Sequence, residues 1–240
     1  MVELLTIDGE EFEIMCITPD LYEESEELFM YVFPNFGNMC LCTNLKEAPE
    51  AMEELRKLML AVLNDGISFA ARHRATDQLV GICCNKIINV KKNISLQTVV
   101  ESFKSQPMLT IIENVLRLED GFDIFKEWQV DCAFEVEFLA IHPDWCNRGL
   151  GYSICCYVMQ FAQAMARGEL TPQQMAPLSV EIREERPELV MGILTSLYAE
   201  KLGSKLKCMC VNIAAVSGLD ADGNIVDPEH ENLRFAARRL

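Results

Sequence analysis

The stretch HPDWCNRGLGYSI, His142 to Ile154, places two glycines where a strand pattern gives way to a helix pattern. Gly149 and Gly151 remove side chains where successive amide N–H groups can converge on an anion, and Arg148 adds a positive charge beside them. That combination suits a pyrophosphate. It equally suits a plain turn with no ligand. Two familiar phosphate motifs fail on residues. A dinucleotide fingerprint needs a third glycine where Ile154 stands, and an acidic residue closing a second strand about 20 residues on. A phosphate-loop NTPase needs Gly-Lys-Ser/Thr, which the sequence lacks.

Upstream, Glu135 and Glu137 are two residues apart, so in a strand they share one face. That face can line a cavity, or it can be a solvated edge whose charges are free or paired. Downstream, Asp220, Asp222, Asn224 and Glu231 have EF-hand spacing, but Ile225 stands where the loop needs glycine, and no helices flank it. LDADGN there predicts a hairpin turn.

The elements around these residues follow from periodicity and punctuation. EFEIMCI alternates from Glu11 as a half-buried strand. Thr18 is placed to cap a helix beginning at Pro19 and ending by Pro34, followed by a loop, FPNFGNMCLCTN, and a second helix stopped by Gly66. ISFAARH and LVGICCNKIINV read as a hairpin joined through RATDQ. Residues 92–130 look helical with a break at Pro107, and AFEVEFLAI is again a strand. A long helix follows the glycine turn. Then come a polar, proline-rich surface excursion, a strand ELVMGIL, a short helix TSLYAEKLGSKL and a strand KCMCVNIAAV, with a returning strand from Leu233. Early hairpins with a late βα unit exclude a repeated βαβ dinucleotide sheet. The expectation is one mixed α/β domain over 1–240.

The chain has 240 residues, 50% of them hydrophobic, and a formal net charge of −16. That charge argues against nucleic acid and anionic membrane as partners, and it is compatible with a cationic small molecule. Its ordinary use is solubility. The start of the sequence is mixed and acidic, unlike a signal peptide, and charges interrupt every apolar run. A cytoplasmic protein is expected. The 11 cysteines lie mostly inside apolar runs, with no Cys-x-x-Cys, and the three histidines are scattered. They read as buried free thiols, and no metal site is expected.

Strand VEFLAIHPDW followed by CNRGLGYSI resembles the strand, turn and helix of the Gcn5-related N-acetyltransferases, whose signature is Gln/Arg-x-x-Gly-x-Gly/Ala. TSLYAEKLGSKLKC, a following strand and LDADGN narrow the resemblance to the insect-type arylalkylamine N-acetyltransferases, as does the helical insertion 92–130. The resemblance covers 11–226 in element order and is densest in 136–154 and 191–206. It implies a central, mostly antiparallel sheet, splayed between its fourth and fifth strands and flanked by helices. It also implies acetyl-CoA as co-substrate. Leu139, Ala140 and Ile141 would bind the pantetheine arm, and Cys146, Asn147, Arg148, Gly149, Leu150, Gly151, Tyr152 and Ser153 the pyrophosphate, with Tyr198 and Lys201 also binding the coenzyme. The other partner would be a small primary amine, the protein being a monomer or weak dimer.

The sequence departs from the family at informative places. Cys146 replaces the signature's Gln or Arg, and Ala199 replaces a serine of the subfamily's Ser-rich stretch. The subfamily's catalytic glutamate belongs to a loop that here reads FPNFGNMC, with no carboxylate. The reaction needs a base for the amine and an acid for the leaving thiolate. Glu137 is the candidate base. Tyr198, matching the family tyrosine, is the candidate acid, although an aromatic at that spacing also packs. Thr195 and Ser196 offer a proton relay or a helix cap. His142 reads as a turn element rather than a base. A coenzyme A-binding module with weakened catalysis is the competing expectation, and polyamine or agmatine the alternative acceptor.

Overall fold

Asp8 and Gly9 both have positive φ, 52° and 84°, the geometry of a two-residue hairpin turn whose twist matches its strands. They join β1 (Val2–Ile7) to β2 (Glu10–Cys16), with Ile7 opposite Glu10. The strand β1 was not expected, although Asp-Gly is a hairpin signal. The structure is a computed structural model, and it describes residues 2–220, 222–226 and 232–240. Glu231 lies outside the described residues.

The first helix differs from expectation at both ends. Thr18 donates to Asp20 Oδ1 at 2.6 Å and caps no backbone amide, and Pro19–Leu21 form a single 3-10 turn. Then α1 runs from Tyr22 to Phe36 with Pro34 inside it. Proline costs a helix the bond it would donate four residues back. In the last turn that loss is local, and Gly37 N still donates to Phe33 O at 2.8 Å. The expected loop then forms α2 (Asn38–Cys42) instead. A Cβ on Gly37 would lie 2.8 Å from Phe33 O, so glycine permits the sharp junction.

After α3 (Pro49–Leu63) come β3 (Phe69–His73) and β4 (Gln78–Asn89), the expected hairpin. The insertion folds as α4 (Gln97–Val100), α5 (Gln106–Asp120) and α6 (Ile124–Trp128), with Pro107 in the first turn of α5, where its missing donor costs nothing. Next are β5 (Cys132–Ile141), α7 (Leu150–Arg167), the short α8 (Pro172–Met175), β6 (Leu189–Leu194), α9 (Leu197–Lys205) and β7 (Met209–Ala215). The expected hairpin forms from β8 (Gly218–Leu219) and β9 (Ile225–Val226), and β10 (Asn232–Arg239) is the returning strand.

Eight strands form one sheet in the order β1-β2-β3-β4-β5-β6-β10-β7. All neighbours are antiparallel except β5 and β6. This is the expected mixed, mostly antiparallel sheet, and with β1 added, the expected fourth and fifth strands are β5 and β6. Strand β10 wedges between β6 and β7, a placement that sequence order does not announce.

Helix α7 covers one face of the sheet, with Ile154, Val158, Phe161 and Met165 buried against Phe69, Phe134 and Cys83. On the other face α1 and α3 cover β3 and β4, and α5 and α6 cover β6 and β10. The excursion 169–187 runs over the surface but is anchored, because Leu178 and Ile182 are buried in the α7 core. Gly66 explains the docking: its φ is +72°, and any Cβ would overlap the Pro177 carbonyl. Buried Glu185 also accepts from Asn89 Nδ2 at 2.6 Å and Lys92 Nζ at 2.5 Å. Among the described residues, no helix is long and apolar enough to cross a membrane.

Candidate active site

The turn after β5 is built from two left-handed residues, Asn147 at φ 62° and Gly149 at φ 93°. Gly149 is the N-cap of α7 and offers no capping side chain, so the first-turn amides Leu150, Gly151 and Tyr152 are left for an external acceptor. Space around Gly149 is open, so its requirement is conformational. Gly151 has a different reason. A Cβ there would lie 3.0 Å from Tyr198 Oη and 3.5 Å from Ile141 Cγ1. Cys146 is exposed, its thiol directed to Ile141 O at 3.7 Å. Arg148 is exposed with its guanidinium 4.8 Å from the Trp145 ring centre.

Beside this turn the sheet opens. β5 and β6 pair over only three positions, Ala133 with Leu189, Phe134 with Val190 and Glu135 with Met191. At the parting point a Cβ on Gly192 would stand 2.9 Å from Val136 O, so glycine lets the strands approach before they diverge. Beyond it, Leu139, Ala140 and Ile141 keep their ladder to β4, and among the described residues the edge toward β6 has no strand partner. That edge can receive the amides and carbonyl of an extended ligand arm.

At the far side of the opening, Ser196 Oγ accepts from Ala199 N at 3.1 Å and caps α9. Asn38 Nδ2 donates to Thr195 O at 2.7 Å, bringing the start of α2 across the end of β6. Tyr198, in the first turn of α9, reaches back to Gly151. Burial holds its phenol above the usual tyrosine range. Thr195, Ser196 and Tyr198 are therefore gathered at the mouth of the opening, while Lys201 is exposed on α9. Above the mouth Tyr31 stacks on His142 at 5.4 Å and meets Phe36 edge-on at 6.2 Å.

The carboxylates lie on the α1/α5 face. β4 and β5 slip register between Cys84–Phe138 and Asn85–Val136, leaving Glu137 as the extra residue of a bulge. Glu135 is 7% exposed and, among the described residues, makes no hydrogen bond or ion pair. Its cross-strand neighbour Lys86 is instead paired to Asp65. Neither alternative, a solvated edge or a paired charge, describes Glu135. Burial comes first in raising both carboxyls, aided for Glu135 by Glu137 and Glu119, and for Glu137 by Glu119; Glu137 is pushed up to about 7. Burial also pushes Glu119, on α5, up to about 7.

Glu119, which raises Glu135 and Glu137, is a carboxylate that sequence reasoning did not single out. Its helix is fixed from three sides. Glu54 of α3 accepts from Lys104 N at 2.6 Å, Asn114 exchanges bonds of 2.7 and 2.8 Å with Ser217, and Asn212 Nδ2 donates to Leu118 O at 2.6 Å. Also missed is a surface cleft of about 260 Å³ between α7 and the end of α9, where Lys205, Lys207 and Arg238 meet Tyr152, Gln160 and Gln163. Lys205 Nζ lies 5.7 Å over the Tyr152 ring.

No family model and no curated protein matches the sequence. Solved structures do match. The chain is similar to arylalkylamine N-acetyltransferase 2 from Aedes aegypti, with a TM-score of 0.73, 17% identity and coverage of 95% of this chain and 98% of that one. A Drosophila melanogaster polyamine N-acetyltransferase that forms N-acetylagmatine matches with a TM-score of 0.71 and 17% identity, over 95% of this chain and 100% of its own. NAA60 of Arabidopsis thaliana, in complex with acetyl-CoA, matches at 0.51 and 14% identity, over 95% and 99%. The chain has the fold of the Gcn5-related N-acetyltransferases and, within that fold, is similar in structure to the insect arylalkylamine N-acetyltransferases.

Proposed function

We propose that the protein is an acetyl-CoA-dependent N-acetyltransferase acting on a primary amine by direct attack in a ternary complex. The observation that carries this reading is the opening between β5 and β6, with an uncapped helix start at one end and Tyr198 against that start. The pantetheine arm lies along Leu139, Ala140 and Ile141, and the pyrophosphate takes the amides of the 147–152 turn. Lys205, Lys207 and Arg238 then receive the remaining phosphate of the coenzyme in the basic cleft. The neutral amine nitrogen bonds to the thioester carbonyl carbon as the carbon–sulfur bond breaks. Glu137 accepts the amine's proton, directly or through water, and Tyr198 gives its proton to the departing sulfur and regains one from solvent. Ser196 and Thr195 hold the start of α9 so that Tyr198 stays at the turn.

An arylalkylamine such as dopamine, serotonin or tryptamine is the preferred acceptor, supported by the aromatic surface of Tyr31, Phe36 and His142 and by the structural neighbours. The three raised carboxyls favour a second reading, an agmatine- or polyamine-type acceptor whose extra positive charge would neutralise one of them. A panel of dopamine, tryptamine, agmatine and spermidine, assayed for free CoA thiol, separates these. Acetyl-CoA affinity without turnover of any amine would instead support a coenzyme-binding module. In a binding titration, dephospho-CoA should bind more weakly than CoA; equal affinity would remove the basic cleft from the site.

A further inference from the structure

We propose that Trp145 is a positioning residue for coenzyme binding: it holds Arg148 at the glycine turn with the edges of its guanidinium free for phosphate oxygens. The inference rests on the coenzyme reading above. Although the chain has 37 acidic residues, Arg148 makes no ion pair among the described residues. Its contact is the Trp145 ring face, 4.8 Å from its Cζ.

Trp145 is itself held by the first strands of the sheet. Phe12 of β2 meets it edge-on at 5.1 Å and 88°, and His73 of β3 lies 4.4 Å away. Phe12 is 1% exposed and His73 4%, and His73 is fixed by Glu10 at 3.0 Å and Thr76 at 2.9 Å. The indole is therefore a rigid shelf projecting from the core toward the turn. With its Cζ over the indole, the guanidinium makes no hydrogen bond or ion pair among the described residues, so its N–H donors are unspent for phosphate oxygens. Arg148 is the one cationic side chain within the turn, since Cys146 supplies no charge. Restricting its motion matters more where no second cation shares the task.

The test is a double-mutant cycle on CoA affinity, measured by titration calorimetry on the full chain. Trp145→Leu should weaken CoA about 3- to 10-fold in the parent. In an Arg148→Gln background the same change should weaken it less than about 2-fold, because the residue through which Trp145 acts is gone. An equal factor in both backgrounds would make Trp145 merely structural and overturn the inference, as would an unchanged affinity in Trp145→Leu. Should Trp145→Leu fail to fold, Trp145→Phe, which keeps packing on Phe12, decides by the same comparison, with a smaller loss expected. A parent with no CoA affinity overturns the coenzyme reading and this inference together. A parent that binds CoA with additive variants overturns the inference alone.

Discussion

The hydroxyl of Tyr198 stands 3.0 Å from the point that a Cβ on Gly151 would occupy. Gly151 lies in the first turn of α7 and Tyr198 in the first turn of α9, so one missing side chain brings two helix starts together. Gly151→Ala should separate stability from function. Alanine favours a helix by about 1 kcal/mol over glycine, yet its Cβ displaces the phenol. Thermal stability should hold or rise while kcat/KM falls by about tenfold or more. An unchanged kcat/KM would show that the contact is incidental.

Tyr198→Phe keeps the ring and removes the proposed acid. The expected outcome is a fall in kcat of about 100-fold, with the acetyl-CoA KM changed much less. A loss confined to KM would mean that the phenol binds the coenzyme and does not protonate the leaving sulfur.

Glu137 is held at about 7 by burial and by Glu119. A base must be ionised to act, so kcat/KM for the amine should rise with pH through about 7. Glu137→Gln should abolish that limb and lower the rate by about 100-fold. If rate and profile both match the parent, the base lies elsewhere.

Glu135 offers a stability test. Its ordinary value is 4.5, and burial raises it well above that in the folded protein. Above pH 4.5 the folded state therefore holds a proton that the unfolded chain has released, and stability falls as pH rises. Glu135→Gln removes that cost, so at pH 8 its Tm should exceed the parent's by at least about 2 °C. The difference should vanish near pH 4.5. An equal or lower Tm at pH 8 would show that Glu135 is compensated in the fold.

Much of the fold is legible in local pattern. The hairpin β3–β4, the strand β5, the long α7 and the order of the later elements all follow from periodicity and turn residues. Even β1 was available, since Asp8-Gly9 is as strong a turn signal as Asp222-Gly223. What local pattern misses are segments whose fate is tertiary. Pro34 stays helical because α1 packs on Phe138 through Phe29 and Phe33, and the excursion 169–187 is anchored because Gly66 leaves room for Pro177.

The site divides along the same line. The glycine turn is written in adjacent residues, because a left-handed N-cap and an uncapped helix start are properties of a short peptide. Those residues, with Tyr198 by resemblance, were readable without coordinates. The carboxylates were not. Glu135 becomes a buried acid, unpartnered among the described residues, because Lys86 turns to Asp65, Glu137 is set off by a bulge that only strand register reveals, and Glu119 arrives on α5, held by Glu54, Asn114 and Asn212. The basic cleft likewise joins α7, α9 and β10. The sequence alone determined how an anion can be held, since neighbouring amides suffice for that. Only the tertiary structure decided which charges lie near one another, since electrostatic coupling depends on distance in space and not along the chain.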